Sequence, residues 1–496
     1  MATTPALGFR HVVPTCSWLQ RFRCSSSVTP LPHFSSPDFA GENQKSEESN
    51  NNDGTKIAGR TASYFPKRGQ TVELVCESLA FKGKGICKVT GTGFVVMCDR
   101  ALPGERFLGR VTRRKGNYAE VTKVKTISPH WDLVDAPCEY SSYCGGCKTQ
   151  NLSYEAQLRA KEQQVHELIT HVGRFSDKVV LKPIVACDIQ FHYRNKMEFS
   201  FGSKRWLPKE LMQEKQDGPA NFALGLHAPG HFDKVLNIGR CLLQSEPANM
   251  VLAAVQDFWR DPQLGLSPYD VHSHAGFLKH LMLRTGRDVK TGSQELMVNF
   301  VTSSYEPELL KPLIERISSI PQVAEVLYTL IEECAGLRGD GSEVVLDLFC
   351  GTGTIGLTLA KRAKHVYGYE VVPQAISDAC RNAQLNGIEN ATFIQGDLNK
   401  IGDDFGSNFP RPDIVISDPN RPGMHMKLIK FLLKLKSPRI VYVSCNPATC
   451  ARDLDYLCHG VEEKNIKGCY KLKSVQPLDM FPHTPHIECI CLLELR

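Results

Sequence analysis

From about Ala324 to the C-terminus, short apolar strands alternate with glycine- or proline-bearing turns and amphipathic helices. Few folds tolerate that alternation. Strands separated by helices run parallel and need both faces covered, so residues 324–496 are expected to form a doubly wound, Rossmann-like α/β sheet. Ligands of such sheets sit in the crevice beyond the carboxyl ends of the strands. The chemistry is therefore sought in the residues that end each strand.

Val344–Phe349 reads as a buried strand feeding Cys350-Gly351-Thr352-Gly353-Thr354-Ile355-Gly356 and then an apolar helix. Glycines there let the backbone approach a ligand at a turn no side chain could occupy. The strand HVYGYE ends on Glu370, where an acid can accept both ribose hydroxyls, and ATFIQGD ends on Asp397, in reach of an adenine amine. Gly351, Gly353 and Gly356 match G-x-G-x-x-G, so a nicotinamide enzyme has to be weighed. Two features favour S-adenosylmethionine instead. Asp347 lies inside the strand, where it can meet a cationic amino-acid moiety, and a fourth strand, DIVISD, ends in Asp418-Pro419-Asn420-Arg421.

Arg439–Ser444 is a further apolar strand that delivers Cys445-Asn446-Pro447 to the same sheet edge. Near the end of the chain, Phe481-Pro482-His483-Thr484-Pro485-His486-Ile487-Glu488 precedes the apolar run CICLLEL. A carboxyl beside an apolar strand is partly desolvated and raised in pKa, which suits a base. Each residue alone has a bland reading, a core thiol and a surface acid. Together, after a cofactor fold, they suggest a nucleophile and a proton acceptor.

The rest of the chain divides by composition. Residues 1–37 hold no Asp or Glu, three Arg (Arg10, Arg21, Arg23) and many Ser, Thr and Pro. With a polar, low-complexity continuation they read as a transit peptide and disordered spacer over 1–60, addressed to a chloroplast, with a mitochondrion as the alternative. Between Lys56 and Lys125 fifteen Lys and Arg face five acids, a local net charge of +10 in a chain of net +6. Five short alternating runs at 64–127 predict a small OB-like β-barrel, and its basic excess suggests a phosphate-bearing partner. Phe81, Phe94, Phe107 and Tyr118 are interleaved with those charges and could stack on bases, although barrel core is their commoner use.

After the barrel, Ser153 N-caps a helix whose apolar face reads Tyr154, Leu158, Val165, Leu168 and Val172, with Gly173 as its stop. Strand-like stretches then give a mixed α/β middle domain over 128–323. The nineteen cysteines lack the dense spacing of a secreted scaffold, so most are expected to be free thiols. Cys138-x5-Cys144-Gly-Gly-Cys147 places three of them in one loop, a spacing that fits zinc, an iron–sulfur cluster or three independent core thiols. No apolar run is long enough to span a membrane, and nothing marks an obligate protein partner.

The runs LDLFCGTGTIG, DPNRPG, YVSCNPATCARD and DMFPHTPHIE resemble the successive motifs of the RNA uracil-5 methyltransferases, from about residue 66 to the C-terminus. The resemblance implies Cys445 as nucleophile and Glu488 as proton acceptor. Cofactor contacts would fall on Phe349, Glu370 and Asp418, beside those already expected at Gly351, Gly353 and Asp397. It is similar to the branch bearing an N-terminal TRAM domain, which implies a [4Fe–4S] cluster on Cys138, Cys144, Cys147 and, at the matching fourth position, Cys241. That branch also implies RNA as the partner, with ribosomal RNA of an organelle first and tRNA second.

Two departures from the pattern stand out. Asn420 replaces a proline of D-P-P-R, and the family's F-x-Q-x-N segment is missing where Ile320-Pro321-Gln322-Val323 runs directly into AEVLYTLIEECAG. A second reading is therefore an RNA-binding chain that keeps the fold with impaired catalysis.

Overall fold

The structure is a computed structural model. It describes residues 66–496 apart from 81–82, 116–117, 177–178, 208–221, 229–230, 260, 262–263, 288–293, 305, 318–327 and 403–404. The expected transit peptide and spacer, Phe81 and the junction around Gln322 lie outside the described residues.

Five strands form the first unit: β1 (Thr71–Leu79), β2 (Lys84–Val89), β3 (Val95–Asp99), β4 (Arg106–Arg114) and β5 (Ala119–Ser128). They close into a barrel in the order β1-β2-β3-β5-β4, with β3 parallel to β5 and β1 sealing against β4. Alternation drives the closure. Val72, Leu74 and Cys76 point inward at every second position to meet Cys87, Val96, Cys98 and Phe107. Phe107 is wholly buried, so it fills the barrel rather than offering a stacking surface. All five acids of the segment are paired, Glu73 with Arg106, Glu77 with Lys88, Glu105 with Lys123, Glu120 with Lys84 and Asp99 with Lys148. Arg110, Arg113, Lys115 and Lys125 remain as exposed cations on or beside β4 and β5.

Helix α1 (Tyr154–Glu167) starts where expected, the Ser153 side chain accepting from the Ala156 N–H, and ends in a wide turn, Leu168–Val172. Its buried face differs from the expected one. Ala156, Gln157, Ala160, Lys161, Gln164 and Val165 are buried, whereas Val172 is largely exposed. The cause is the surface α1 covers: a loop near the C-terminus and the end of β1, whose peptide groups need polar partners.

Beyond α1 come β6 (Val180–Leu181), β7 (Lys196–Gly202), β8 (Arg205–Trp206), β9 (Ala223–His227), β10 (Val235–Asn237), α2 (Glu246–Phe258), β11 (Leu278–Arg287), β12 (Gln294–Thr302) and α3 (Pro307–Ile317). Six of the strands make one sheet, β12-β11-β7-β9-β10-β8, with a core of Phe199, Leu252, Val255, Trp259 and Leu281 against α2 and α3. This is the mixed middle unit.

The last unit holds α4 (Tyr328–Ala335), β13 (Val344–Leu348), α5 (Thr354–Ala360), β14 (His365–Glu370), α6 (Pro373–Leu385), β15 (Ala391–Gln395), β16 (Ile414–Ser417), α7 (Met426–Leu435), β17 (Arg439–Ser444) and α8 (Pro447–Cys458). A short ribbon, β18 (Gly460–Val461) and β19 (Ile466–Lys467), precedes β20 (Tyr470–Leu478) and β21 (Glu488–Leu495). The eight-stranded sheet runs β15-β14-β13-β16-β17-β21-β20-β6. The first five strands are parallel and β21 enters antiparallel to β17. The α/β expectation holds, with an antiparallel hairpin and one borrowed strand, β6, added at the far edge. Among the described residues no helix is long and apolar enough to cross a membrane.

One buried ion pair ties the first half of the chain to the last. Lys161 Nζ lies 2.6 Å from Asp479 Oδ1, and both side chains are almost completely buried. Lys161→Met leaves a buried carboxylate without its cation, which costs about 3–5 kcal/mol. The double change Lys161→Met with Asp479→Leu is expected to recover most of that loss, as read by the midpoint of urea unfolding.

Candidate active site

The sheet order reverses between β13 and β16, so a crevice opens where their carboxyl ends part. Register decides which residues meet there. Leu348 pairs with Ser417, Ser417 with Tyr442, and Ser444 with Cys489. Phe349, Asp418 and Cys445 therefore leave three neighbouring strands at one edge, and Glu488 opens the fourth strand at that same edge.

The glycine turn forms one side. Phe349, Gly351 and Gly353 have φ of +63°, +54° and +80°. A left-handed Phe is uncommon and is held only where its surroundings demand it. A Cβ on Gly353 would lie 2.7 Å from the Phe393 ring, whereas one on Gly351 would meet nothing within 4 Å. The turn is tight on its inner side and open on the other. Asp347 Oδ2 accepts from the Gly356 N–H at 2.9 Å, and its buried partner oxygen Oδ1 has no hydrogen bond. Burial pushes the Asp347 carboxyl up to about 7, and the nearby Asp418 adds to the rise.

The two expected nucleoside acids differ. Glu370 closes β14 and accepts from the N–H groups of Gly351, Val371 and Val372, so it braces the glycine turn. Asp397 accepts from the Asn399 N–H and pairs with Lys400 at 3.0 Å, and Lys400 first among these holds its carboxyl below the usual range. Its partners thus lie within its own turn.

The catalytic candidates do come together. Burial raises the Cys445 thiol, the charge of Glu488 adds to the rise, and the charge of the Arg421 guanidinium opposes it. Burial likewise pushes Glu488 up to about 8, assisted by Asp418 and opposed by Arg421, and pushes Asp418 up to about 6. Arg421 is the residue the sequence reading left without a role. Its position in DPNR was visible, but only the fold brings it to Cys445. Asn446 secures the loop, donating its side-chain N–H to the Arg421 carbonyl at 2.8 Å.

The four expected metal ligands gather elsewhere. Cys138, Cys144, Cys147 and Cys241 line one cavity of about 490 Å³, together with Tyr140, Gln150, Arg194 and Lys196. Burial raises all four thiols, Cys147 to about 12. Among the described residues, no group of three or more His, Cys, Asp or Glu converges closely enough to hold a metal ion. No disulfide occurs among the described residues, in line with the free thiols expected.

Comparison with known proteins separates the readings of this crevice. A methyltransferase-domain profile matches residues 340–473. A chain of Chlorobaculum tepidum named as an uncharacterized RNA methyltransferase is 35% identical, covering 86% of this chain and 97% of its own. The chain belongs to the RNA methyltransferase family. A second such relative, from Bacteroides thetaiotaomicron, is 36% identical over 84% of this chain and 100% of its own. The structure of Pyrococcus abyssi tRNA (uracil-54, C5)-methyltransferase with S-adenosyl-L-homocysteine is similar at a TM-score of 0.60. It covers 84% of this chain and 99% of its own at 24% identity, which establishes a shared fold.

The nicotinamide alternative falls with this membership. The alignment with the Chlorobaculum chain runs over 485 positions yet takes in only 86% of these 496 residues, so the relative carries residues that this RNA methyltransferase lacks. Because Gly353 needs a left-handed backbone and has no room for a methyl group, Gly353→Ala is expected to weaken S-adenosylmethionine binding at least about tenfold. Calorimetric titration measures it.

Proposed function

We propose that this RNA methyltransferase methylates carbon 5 of uracil, with Cys445 as covalent nucleophile, Glu488 as base and S-adenosylmethionine as donor. The observation that carries the reading is the Ser444–Cys489 pairing, which sets a thiol beside a desolvated carboxyl at the cofactor edge. The donor fits the residues present: an open glycine turn, a strained Phe349 and the unpartnered Asp347 Oδ1, which suits a cationic amino-acid group. Bound there, it supplies an electrophilic methyl group. Asp418, leaving β16 between the two halves, completes the proposed cofactor contacts.

Carbon 5 of uracil is too weak a nucleophile to take that methyl unaided. Cys445 gives up its proton to water and its sulfur bonds to carbon 6, giving an enolate whose electron pair at carbon 5 would take the methyl, the methyl–sulfur bond breaking so that S-adenosylhomocysteine leaves. Glu488 then takes the carbon 5 proton, the electron pair restores the 5,6 double bond, and the sulfur leaves. The positive charge of Arg421 favours the thiolate that this sequence starts from. A uridine has to be swung out of its stack to enter the crevice, and the exposed cations of β4 and β5 offer a place for the flanking phosphates.

The proposed substrate is ribosomal RNA of an organelle, a chloroplast with a mitochondrion as the alternative, and tRNA is the second choice. The Pyrococcus abyssi enzyme acts on uracil 54 of tRNA, which supports the uracil-5 chemistry more than the choice of RNA. The barrel is proposed to be a TRAM domain. For the cysteine cavity we propose a [4Fe–4S] cluster held by Cys138, Cys144, Cys147 and Cys241. Four soft thiols around one cavity suit it. Its irons would each take one thiolate, whereas a single ion needs ligands that converge. Methyl transfer consumes no electron, so the cluster would order the chain.

The shortfall against the relatives favours the second reading, an RNA-binding homologue of impaired catalysis. Restoring a relative's segment between α3 and α4 separates them, because only an impaired chain gains activity by it.

Cys445→Ala is expected to abolish 5-methyluridine formation, and Glu488→Gln to accumulate a covalent protein–RNA adduct on denaturing gels. Methylation at full rate by Cys445→Ala would overturn the reading. The pH dependence has a fixed sign. A base with its pKa near 8 is protonated, and idle, below that pH. Single-turnover rates should climb at least about tenfold per unit from pH 6 towards 8. The raised Cys445 thiol acts in the same direction.

A further inference from the structure

The loop that delivers Glu488 is held from outside the methyltransferase sheet, and one residue gathers the restraints. His483 is buried, and its backbone is left-handed at φ +65°. Its N–H donates to Gln157 Oε1 at 2.9 Å, and its carbonyl accepts from the N–H groups of Lys148 and Thr149 at 3.0 and 3.3 Å. The ring shares a hydrogen bond with Gln157 Nε2 at 3.1 Å and stacks on Phe191 with centroids 4.4 Å apart. One residue away, the Pro482 carbonyl accepts from the Tyr193 hydroxyl at 2.9 Å. Restraint of this kind is what keeps a strained backbone in place.

The restraining residues adjoin the cysteine cavity. Lys148 follows Cys147, and Tyr193 precedes Arg194, which also lines the cavity and has a buried Nε without a partner. Gln150 closes the connection, donating to Cys147 Sγ at 3.3 Å and accepting from the Cys138 N–H at 3.2 Å. The barrel adds a further hold, since the Arg100 guanidinium donates to the carbonyls of Ser141 and Cys144 at 2.5 and 2.7 Å.

We propose that His483 is a positioning residue that clamps the Glu488-bearing loop to the Cys138–Cys147 loop, so that order in the cysteine cavity is transmitted to the base. This rests on the reading of Glu488 given above. A base displaced by an ångström slows its own step by about 100-fold. That step is removal of the carbon 5 proton, after the covalent bond has formed. Damage to the clamp therefore leaves adduct formation intact and delays its breakdown.

The test uses the full chain, prepared with iron and sulfide, as wild type, His483→Ala, His483→Asn and Cys144→Ala. Asn tolerates the left-handed backbone and so guards against misfolding of the Ala variant. Hydrogen–deuterium exchange over residues 479–490 is expected to quicken at least tenfold in all three variants, with β13–β17 staying protected. With uridine-bearing RNA and S-adenosylmethionine, both His483 variants should turn over about 100-fold more slowly. They should accumulate adduct and bind the donor within twofold of wild type. Unchanged exchange in Cys144→Ala would overturn the transmission, and equal loss of adduct and turnover in His483→Asn would overturn the positioning role. A wild type that forms no adduct with 5-fluorouridine RNA would sink the Cys445 reading instead, leaving the exchange result to decide on the clamp.

Discussion

The antiparallel seam between β17 and β21 is the constraint on which the site depends. Five parallel strands bring a glycine turn, Asp418 and Cys445 to one edge, but a parallel strand delivers only its carboxyl end there. A strand entering in the opposite sense delivers its first residue. Pairing Ser444 with Cys489 thus sets Glu488 beside Cys445 although 43 positions separate them in the chain. Val443 and Ile490 pack into the core on one face of this seam and Cys491 into the core on the other, so a slip in register would have to repack both.

The same edge of the sheet collects the buried carboxyls. Glu488, Asp418 and Asp347 are carboxyls withdrawn from water at a shared edge, and each is raised by burial. Arg421 is the cation that opposes the rise at Glu488 and at the thiol. An apo site of this kind keeps its acids protonated more readily than a solvated one. The arrival of a cationic donor favours their charged forms.

Much of this was legible in the chain because buried parallel strands read as unbroken apolar runs. Val344–Leu348 and Arg439–Ser444 announce themselves, and the residues after them become candidates. The barrel was equally legible, its alternation surviving even where cysteines take core positions. Other features resist such reading for physical reasons. Helix α1 buries Gln157 and Lys161 against the loop at 479–483 and Gln164 against the Leu79 carbonyl of β1, so its apolar stripe misidentifies the packed face. The brief β6 joins the sheet beside β20 across almost 300 residues, a pairing no local pattern encodes. At Asp397 the strand-end position marks a nucleoside contact, whereas its partners Asn399 and Lys400, two and three residues on, emerge only from the turn's geometry. Arg421 and His483 sit in motifs whose neighbours drew attention first, and only their partners reveal what they do.

The account reduces to a sulfur–carbon bond that exists during each turnover. A 5-fluorouridine RNA carries no proton at carbon 5 for a base to remove, so the bond should persist once the methyl has been transferred. Incubating the protein with such RNA and S-adenosylmethionine, followed by nuclease and protease digestion and mass spectrometry, locates it. The account predicts a methylated fluorouridine nucleotide on the peptide containing Cys445. A peptide without the added mass, or the mass on another cysteine, would contradict it.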